Sequence, residues 1–274
     1  MSYLDSLFNV AGKAVVITGA SSDLGRGIAW GFGRAGARLI LISRGDQAAL
    51  LSEFAAENID AYSYKSDVMD PDRLAATVDA IEREHGSVDV LVNMTGGNRP
   101  GASTSAERTF FDLDVGEIEQ VVALNLFGGA VIPCQAFGRV MSNNPAGGSI
   151  INISSMAAAR PLTRVVGYAA AKAAVENFTR WLAVSVAQNG APMLRVNAIA
   201  PGFFVSDQNR YLLYNEGGQP TERCRSIVGH TPMGRLGDRD DLIGAALFLG
   251  SNASAFVTGT VLAVDGGFGA FSGV

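Results

Sequence analysis

Short runs of apolar residues alternate with longer amphipathic segments along the first half of the chain. The short runs are rich in β-branched, aliphatic or aromatic residues, which is typical of strands in a sheet with little solvent exposure. These predicted strands are residues 14–18, 38–43, 61–66 and 88–93. The segments between them have helical periodicity, and the predicted helices are residues 24–35, 46–57 and 71–85. This alternation predicts βαβ crossovers and therefore a parallel sheet.

The second half of the chain continues this pattern with one exception. The predicted elements are helices at residues 115–141, 168–188 and 239–249, and strands at residues 149–153, 195–200 and 261–264. We expect Pro133 to bend the first of these helices. Residues 203–231 are polar, lack clear periodicity and follow a strand, which is typical of a lid or substrate loop. The sequence predicts one α/β domain over residues 1–274, a doubly wound parallel sheet of about seven strands flanked by helices.

Composition and charge narrow the range of functions. The chain has 274 residues and a formal net charge of -5, and its basic residues do not cluster, which argues against nucleic acid as a partner. The start lacks the pattern of a signal peptide, and no run of about eighteen uncharged apolar residues follows. The two cysteines, Cys134 and Cys224, lack CxxC or metal-ligand spacing. These features predict a cytoplasmic protein with no disulfide, no metal site and no membrane partner.

The segment over residues 149–175 carries the strongest chemical signal. A predicted strand leads into Ser155, and the next predicted helix contains Tyr168 and Lys172. Residues four positions apart lie on one face of a helix, so the ammonium group can stabilise the phenolate of the tyrosine. An isolated tyrosine titrates near pH ~10, and this help would let it exchange protons at neutral pH. Ser155 could hydrogen-bond a carbonyl oxygen from the other side.

A glycine-rich turn joins the first predicted strand to the first predicted helix. Residues 18–27 read TGASSDLGRG, and a position between a strand and a helix is the context that dinucleotide-binding turns require. The backbone N–H groups of such a turn and the helix N-terminus can bind a pyrophosphate. The sequence therefore indicates a nucleotide cofactor near Gly19 and Gly25.

The order of these motifs resembles the short-chain dehydrogenase/reductase family over essentially the whole chain. The glycine-rich turn comes first, NMTG follows at residues 93–96, and Tyr168 and Lys172 come last. The resemblance implies a Rossmann fold and a nicotinamide cofactor that supplies the hydride. It implies that Tyr168 transfers the proton and that Lys172 lowers the pKa of the phenol and holds the nicotinamide ribose. It further implies that Ser155 polarises the substrate oxygen and that Asn125 supports a water relay.

The resemblance also implies a set of cofactor contacts in the turns that follow the strands. Asp23 stands where the family's turn has its middle glycine, so this carboxylate either caps the helix or repels the cofactor phosphates. We favour the cap, because aspartate is a good N-cap residue. The predicted cofactor-binding residues are Gly19, Ser21, Ser22, Asp23, Leu24, Gly25, Ser43, Arg44, Asp67, Val68, Asn93, Gly96, Tyr168, Lys172, Pro201, Gly202 and Ser206.

The end of the second predicted strand distinguishes NADP from NAD. An acid at this place would hydrogen-bond the ribose hydroxyls of NAD and repel the extra phosphate of NADP. The chain has Ser43 there, followed by Arg44, whose guanidinium can bind a phosphate through two hydrogen bonds. We therefore expect NADP, with NAD as the alternative.

Several stretches resemble one branch of the family, the D-fructuronate reductases, also called D-mannonate oxidoreductases. They include GGNRP at residues 96–100, RPLT at residues 160–163 and HTPMGR at residues 230–235. That branch usually has an acid after the second strand, whereas this chain has Ser43 there. Either the chain is a divergent member that acts on a related sugar acid, or the assignment to this branch is too narrow. A hexuronate has a carboxylate and several hydroxyls, which need cationic and polar side chains. The predicted substrate-binding residues are Arg99, Arg160, Gln208, Asn209 and Arg210, and Arg164 is a further arginine near the predicted catalytic residues.

Three functions remain open from the sequence. The first is an NAD(P)-dependent oxidoreductase acting on a keto sugar acid, such as the D-fructuronate and D-mannonate pair. The second is a 3-oxoacyl or general ketone reductase, against which the polar segment 203–231 argues. The third is a regulator that senses NADP without catalysis, against which the intact catalytic residues argue. The resemblance further implies a homotetramer or homodimer packed through the long helices around Val121 and Val175.

Overall fold

A computed structural model describes residues 3–207 and 209–273 of the chain, and within them seven parallel strands form one sheet. The strands are β1 (Ala14–Thr18), β2 (Arg38–Ser43), β3 (Ala61–Lys65), β4 (Val90–Asn93), β5 (Gly148–Ile153), β6 (Leu194–Pro201) and β7 (Val261–Val264). Their order across the sheet is β3-β2-β1-β4-β5-β6-β7. The two edge strands, β3 and β7, are the least buried.

Helices connect the strands on both faces of the sheet. Among the described residues, the α-helices are α1 (Tyr3–Phe8), α2 (Asp23–Arg34), α3 (Ala48–Ala56), α4 (Pro71–His85), α5 (Val115–Val122), α6 (Ile132–Met141), α7 (Val166–Gln188), α8 (Arg210–Leu213), α9 (Glu222–Gly229) and α10 (Ile243–Gly250). A π-helical segment, Ala123–Val131, joins α5 to α6. Residues 115–141 therefore form one continuous helical run.

Each face of the sheet has its own hydrophobic layer. Along β1, Val15 and Ile17 lie in one layer and Val16 lies in the other, because successive strand residues point to opposite faces. Phe32 of α2 belongs to the first layer and Phe137 of α6 belongs to the second. The predicted doubly wound Rossmann arrangement is confirmed.

The predicted strands and most predicted helices are confirmed, with boundaries that differ by one or two residues. The last helix is an exception, because its first turn, Arg239–Leu242, is a 3-10 turn that leads into α10. The run 115–141 is helical, but its distortion is the π-helical segment before Pro133 rather than a bend at the proline. A proline ring crowds the carbonyl four residues earlier, here that of Gly129, and the wide turns of a π-helix give this carbonyl room.

Two parts of the chain contain more helix than the sequence predicted. Helix α1 was not predicted, and residues 203–231 contain α8 and α9. Thr221 caps α9, and Cys224 and Ile227 of this helix form a small buried cluster with Leu213 of α8. The prediction of an irregular segment was wrong because these apolar residues are scattered among polar ones.

The helical run 115–141 has the length and composition of a membrane span, with 27 residues and a mean hydropathy of 1.6. In the fold, 44% of its most apolar window is buried, and the run packs against α7. The core helices of globular folds have the same properties, so length and composition carry little weight for a membrane role.

The two residues around which packing between copies was predicted cannot contact a second copy. Val121 and Val175 are both fully buried inside the chain. The large apolar side chains that the same helical elements expose include Phe127, Trp181 and Val184. An interface through these helices would therefore use the second set of residues.

Candidate active site

The order of the strands reverses between β1 and β4. The sheet adds β2 and β3 beside β1, and it adds β5, β6 and β7 beside β4. The loops at the carboxyl ends of β1 and β4 therefore diverge, and a crevice opens between them. Gly19 and Met94 are the first residues beyond these two strands.

Two cavities fill the crevice, and both are lined by Ser22, Met94 and Gly96. The outer cavity, of about 210 Å³, lies beyond β1, β2 and β3 and is lined by Gly19, Ser21, Ser22, Ile42, Ser43, Arg44, Ser66, Asp67, Val68, Met94, Thr95, Gly96 and Leu124. The inner cavity, of about 250 Å³, is lined by Ser22, Asp23, Leu24, Met94, Gly96, Gly97, Ile153, Ser154, Ser155, Tyr168, Lys172, Pro201, Gly202, Phe203, Phe204, Ser206 and Asn209. Of the predicted cofactor-binding residues, all except Gly25 and Asn93 line one of these cavities.

Close backbone contacts explain the glycines of the turn after β1. Gly19 has a φ of +67°, and a Cβ atom there would lie 3.0 Å from the backbone nitrogen of Thr95. A Cβ atom on Gly25 would lie 2.7 Å from the carbonyl oxygen of Gly19. Ser22 caps α2, because its Oγ accepts a hydrogen bond from the N–H of Gly25 at 3.2 Å. The N-terminus of α2 thus opens into the crevice, where its N–H groups can bind an anion.

Asp23 does not cap α2, which corrects the prediction. Ser22 occupies the cap, and Asp23 is the first residue of the helix. The carboxylate Oδ2 of Asp23 instead accepts a hydrogen bond from the backbone N–H of Asp207 at 2.5 Å. Asp207 belongs to the loop after β6 and follows Ser206, which lines the inner cavity. This hydrogen bond joins the glycine-rich turn to the polar loop across the crevice.

The end of β2 offers a cation and no acid. Ser43 is buried, and its hydroxyl donates a hydrogen bond to the carbonyl oxygen of Gly45 at 2.8 Å. Arg44 lines the outer cavity and is exposed. Its guanidinium has no hydrogen-bond or ion-pair partner among residues 3–207 and 209–273. The outer cavity therefore has an unpaired positive charge at its edge.

The side chain of Asn93 lies behind the crevice, and the contact of this residue with a cofactor stays a prediction. Its side chain is fully buried, and Nδ2 donates hydrogen bonds to Asn152 Oδ1 at 2.9 Å and to Cys134 Sγ at 3.4 Å. Asn152 Nδ2 in turn donates to Thr179 Oγ1 at 2.9 Å. These polar contacts connect β4, β5 and α7 and so fix the elements that carry the catalytic residues.

Three of the four predicted catalytic residues line the inner cavity together. Ser155 follows β5, and its Oγ accepts a hydrogen bond from the N–H of Ala157 at 3.2 Å. Tyr168 and Lys172 lie one turn apart on α7, with Lys172 Nζ 5.7 Å from the centre of the Tyr168 ring. The same Nζ donates a hydrogen bond to the carbonyl oxygen of Ile153 at 2.7 Å. The end of β5 therefore holds both the serine and the ammonium group.

Burial sets the ionisation of Tyr168 and Lys172. Burial raises the pKa of Tyr168, and a hydrogen bond with Ser155 opposes that rise. Burial lowers the pKa of Lys172 from 10.5 to about 8. The lowering of the phenol pKa by Lys172 stays a prediction, and the ammonium is hydrogen-bonded to Ile153. At neutral pH the site therefore holds a protonated phenol and a mostly charged amine.

Asn125 holds the turn after β4. It is fully buried in the π-helical segment, and Nδ2 donates to the carbonyl oxygens of Gly97 at 2.6 Å and Val121 at 2.8 Å. Its Oδ1 accepts a hydrogen bond from the N–H of Gly97 at 3.1 Å. A Cβ atom on Gly96 would lie 2.7 Å from Asn125 Oδ1 and 3.3 Å from Lys172 Nζ. Asn125 therefore positions the backbone that passes beside Lys172, and its role in a water relay stays a prediction.

Two of the predicted substrate arginines are bound elsewhere. Arg99 forms an ion pair with Glu117 at 3.2 Å. Arg160 donates a hydrogen bond to the carbonyl oxygen of Gly269 at 2.8 Å, which attaches the C-terminal segment to the loop after β5. Neither arginine lines the inner cavity. Both side chains have other partners in this structure, and their contact with the substrate stays a prediction.

The other predicted substrate residues belong to the loop after β6. The guanidinium of Arg210 lies 5.6 Å from the centre of the Tyr214 ring, outside the inner cavity. Asn209 does line the inner cavity, but its Oδ1 accepts a hydrogen bond from the N–H of Ser206 at 2.9 Å and so supports the loop backbone. Gln208 lies outside the described residues.

The predictions omitted the apolar part of the inner cavity. Phe203 and Phe204 directly follow the predicted Pro201-Gly202 turn, and Met94 follows the end of β4. Ser154 precedes the predicted serine, and its Oγ donates to Glu176 Oε1 at 3.0 Å. Their only sequence signal was their position next to a predicted motif residue.

Comparison with known proteins assigns the chain to a family. A family model described as enoyl-(acyl carrier protein) reductase matches residues 19–269. An uncharacterised oxidoreductase from Haemophilus influenzae is 43% identical over 97% of this chain and 96% of that protein. The chain belongs to the short-chain dehydrogenase/reductase family. It is accordingly an oxidoreductase that acts on a CH–OH group.

Other members of the short-chain dehydrogenase/reductase family carry more specific names. The 5-keto-D-gluconate 5-reductase of Escherichia coli is 35% identical over 96% of this chain and 98% of that protein. A Haemophilus influenzae structure with bound NAD, provisionally assigned as a D-mannonate oxidoreductase, has a TM-score of 0.89 at 42% identity, covering 97% of this chain and 98% of that one. A gluconate 5-dehydrogenase from Burkholderia cenocepacia, in complex with NADP and tartrate, has a TM-score of 0.85 at 30% identity, covering 98% of this chain and 100% of that one.

Proposed function

We propose that this enzyme transfers hydride between NADP and a keto sugar acid such as D-fructuronate or a keto-gluconate. The observation that carries the proposal is the arrangement of Ser155, Tyr168 and Lys172 around a cavity that also continues into a nucleotide-sized crevice. Full-length relatives include a 5-keto-D-gluconate 5-reductase and a 2-dehydro-3-deoxy-D-gluconate 5-dehydrogenase. Their names support a hydroxylated acid as the substrate.

The residues of the outer cavity fit a dinucleotide cofactor. Gly19 and Gly25 let the turn pack closely against its neighbours, and the N-terminus of α2 opens into the crevice, which suits a pyrophosphate. Related structures contain NAD in one case and NADP in another, so the family alone does not decide between them. Arg44, exposed and unpaired within the described part of the chain, supports NADP, because its guanidinium can bind the additional phosphate.

The catalytic residues can move a proton to the substrate in the reducing direction. When bound, the nicotinamide supplies the hydride. Tyr168 is protonated at neutral pH and can donate its proton to the substrate oxygen as negative charge develops there. Ser155 Oγ accepts from Ala157, and its own hydrogen can turn from the hydrogen bond with Tyr168 to donate to the same oxygen.

Lys172 stabilises the product of this proton transfer. Its ammonium donates one hydrogen bond to the carbonyl oxygen of Ile153 and lies near the Tyr168 ring. It has no other hydrogen-bond partner among the described residues. A phenolate formed at Tyr168 would be stabilised by this nearby positive charge in a site with little water. In the oxidising direction the same groups act in reverse order.

A second candidate is a 3-oxoacyl or general ketone reductase, which would reduce the keto group of an acyl thioester such as acetoacetyl-CoA. The family model that matches residues 19–269 is described as an enoyl-(acyl carrier protein) reductase, and Phe203 and Phe204 make part of the inner cavity apolar. This candidate and the sugar-acid proposal differ in one measurable property, the preference between an acyl chain and a polyhydroxy acid.

The test is a substrate panel with the purified enzyme. NADPH and NADH oxidation is followed with D-fructuronate, 5-keto-D-gluconate, 2-dehydro-3-deoxy-D-gluconate and acetoacetyl-CoA. We expect the highest kcat/KM for a keto sugar acid with NADPH. Tyr168→Phe is expected to lower kcat by about 10²- to 10⁴-fold while NADPH binding, measured by fluorescence, stays unchanged. Turnover of acetoacetyl-CoA without turnover of any keto sugar acid would replace the proposal with the second candidate.

We also propose that the enzyme forms a homodimer or homotetramer. Phe127 and Trp181 expose large apolar side chains on the π-helical segment and on α7, and exposed apolar patches often mark interfaces. Light scattering of the purified protein gives the number of copies directly.

A further inference from the structure

A further cavity adjoins the inner cavity behind the turn after β6. This rear cavity has a volume of about 150 Å³ and is lined by Phe203, Phe204 and Met233 and by the C-terminal residues Asp265 and Gly266, among others. Phe203 and Phe204 line the inner cavity as well. The two cavities therefore meet at this pair of aromatic residues, whose side chains determine how far the inner cavity extends.

The two aromatic residues are held in different ways. Phe204 is buried, and its backbone pairs with that of Gly237 in an isolated β-bridge. A Cβ atom on Gly237 would lie 2.7 Å from the Phe204 ring, so the ring packs tightly on this backbone. Phe203 is only half-buried, and it packs against the small apolar cluster of α8 and α9. Phe203 is therefore the member of the pair whose ring can change position, and the rear cavity offers space for that movement.

The C-terminal segment, residues 265–271, contacts Phe203 directly. The centre of the Phe268 ring lies 5.1 Å from the centre of the Phe203 ring, and the two planes meet at 64° in an edge-to-face arrangement. The segment is a compact turn, because the carboxylate of Asp265 accepts hydrogen bonds from two backbone N–H groups within it, at 2.9 Å and 2.7 Å. An ordered turn therefore presents Phe268 to Phe203.

Arg160 attaches the C-terminal segment to the loop that carries the catalytic serine. Its Nε donates a hydrogen bond at 2.8 Å to the carbonyl oxygen of Gly269, the residue after Phe268. Arg160 itself follows the 3-10 turn that Ser155 caps. The segment therefore connects the loop after β5, through Arg160, with the turn after β6, through Phe203. Both of these loops contribute residues to the inner cavity.

We propose that the C-terminal segment sets the size of the substrate cavity by holding Phe203 between the inner and rear cavities. Phe203 limits the length of the ketone that binds at Tyr168, and Arg160 and Phe268 are positioning residues that act through it. When either contact is lost, the Phe203 ring can move into the rear cavity and a longer ketone fits. The proposal rests on the proposed function only in that a ketone binds at Tyr168, and it applies to keto sugar acids and acyl ketones alike.

The ratio of kcat/KM for a long and a short ketone tests the proposal, because this ratio does not depend on the fraction of folded enzyme. The short ketone is the best substrate of the panel, and the long one is its homologue with two more carbon atoms, either an eight-carbon keto sugar acid or 3-oxohexanoyl-CoA. Phe203→Ala is expected to raise the ratio of long to short about tenfold or more. Phe268→Ala and Arg160→Ala should each raise it about two- to tenfold, because each removes one contact that holds Phe203.

Phe271→Ala is the matched control. It removes a partly exposed aromatic ring from the same C-terminal segment, and this ring does not line the inner or the rear cavity. The variant should keep the wild-type ratio of kcat/KM. A change as large as that in Phe268→Ala would show that the ratio responds to any damage to the segment, and the proposal would be wrong.

The double variant Arg160→Ala/Phe268→Ala shows whether the two residues act through the same wall. Effects that act through one shared contact do not add, so the double variant should have the ratio of the more affected single variant. If Arg160 instead binds the substrate itself, the two effects add and its positioning role is wrong. An unchanged ratio in any of the three single variants overturns the proposal and leaves the proposed function intact. If the wild type reduces only acetoacetyl-CoA, the proposed function is wrong, and the ratio for the two thioesters still decides whether Phe203 limits the cavity.

Discussion

Lys172 is a buried cation whose charge changes within the range of ordinary assays. Its pKa is lowered to about 8 by burial, whereas an exposed lysine keeps its proton until pH ~10. A lowered pKa means that the ammonium is fully present below about 8 and is lost as the pH rises through that value. The raised pKa of Tyr168 keeps the phenol protonated over the same range. Loss of the lysine charge is therefore the first ionisation of this site on the alkaline side.

We predict that kcat/KM for ketone reduction falls above a pH of about 8 because the lysine charge is lost. Lys172→Met should lower kcat by about a hundredfold or more and should abolish this alkaline limb in the remaining activity. The measurement is a pH profile of NADPH oxidation for both proteins at saturating cofactor. A limb near the same pH in the variant would show that another group is responsible.

We propose that cofactor choice depends on Arg44. We predict that Arg44→Ala raises KM for NADPH about tenfold and leaves KM for NADH nearly unchanged, because only NADPH has a phosphate for the guanidinium to bind. The ratio of kcat/KM for the two cofactors measures the effect. Arg139→Ala, which also removes an unpaired arginine, but one on α6 outside both cavities, should leave the ratio unchanged. Equal losses with both cofactors would contradict this role.

At the scale of elements, the π-helical segment packs closely against the turn after β4. A Cβ atom on Gly129 would lie 2.6 Å from the carbonyl oxygen of Thr95. Thr95 lines the outer cavity, so the helix and the cofactor crevice share this contact. Gly138, on α6 of the same helical run, has no atom within 4 Å of such a Cβ atom.

We predict that Gly129→Ala and Gly138→Ala change stability in opposite directions. Gly129→Ala should lower the free energy of unfolding by about 1–3 kcal/mol, because the backbone of Thr95 must move. Gly138→Ala should raise it by about 0.5–1 kcal/mol, because alanine has the higher helix propensity. Urea unfolding of the two variants and the wild type measures both changes. If both substitutions change the free energy of unfolding in the same direction, the inferred close packing at Gly129 is wrong.

Local patterns predicted the elements well where burial followed a simple period. The run of apolar residues in β1 and the capping by Asp70 before Pro71 of α4 depend on neighbours in sequence, so the sequence shows them. Helix α9 was missed because its buried residues contact α8 and Phe203 rather than a regular stripe of neighbours. Its small apolar face becomes recognisable only when the loop is folded.

At the scale of the whole molecule, the site lies where the strand order reverses, and the glycine-rich turn after the first predicted strand was enough to indicate it. The assignment of individual charges was not predictable in the same way. Arg160 is engaged by Gly269, more than a hundred residues later in the chain. Which arginine is free for a ligand depends on such distant contacts, which the sequence does not display.

The hydrogen bond between Asp23 and Asp207 has a consequence for the exchange of coenzyme. A dinucleotide bound across both cavities would lie beside the two segments that this contact joins. If the coenzyme enters between them, the contact has to open at each exchange, and its opening rate then sets an upper limit on the rate of coenzyme release.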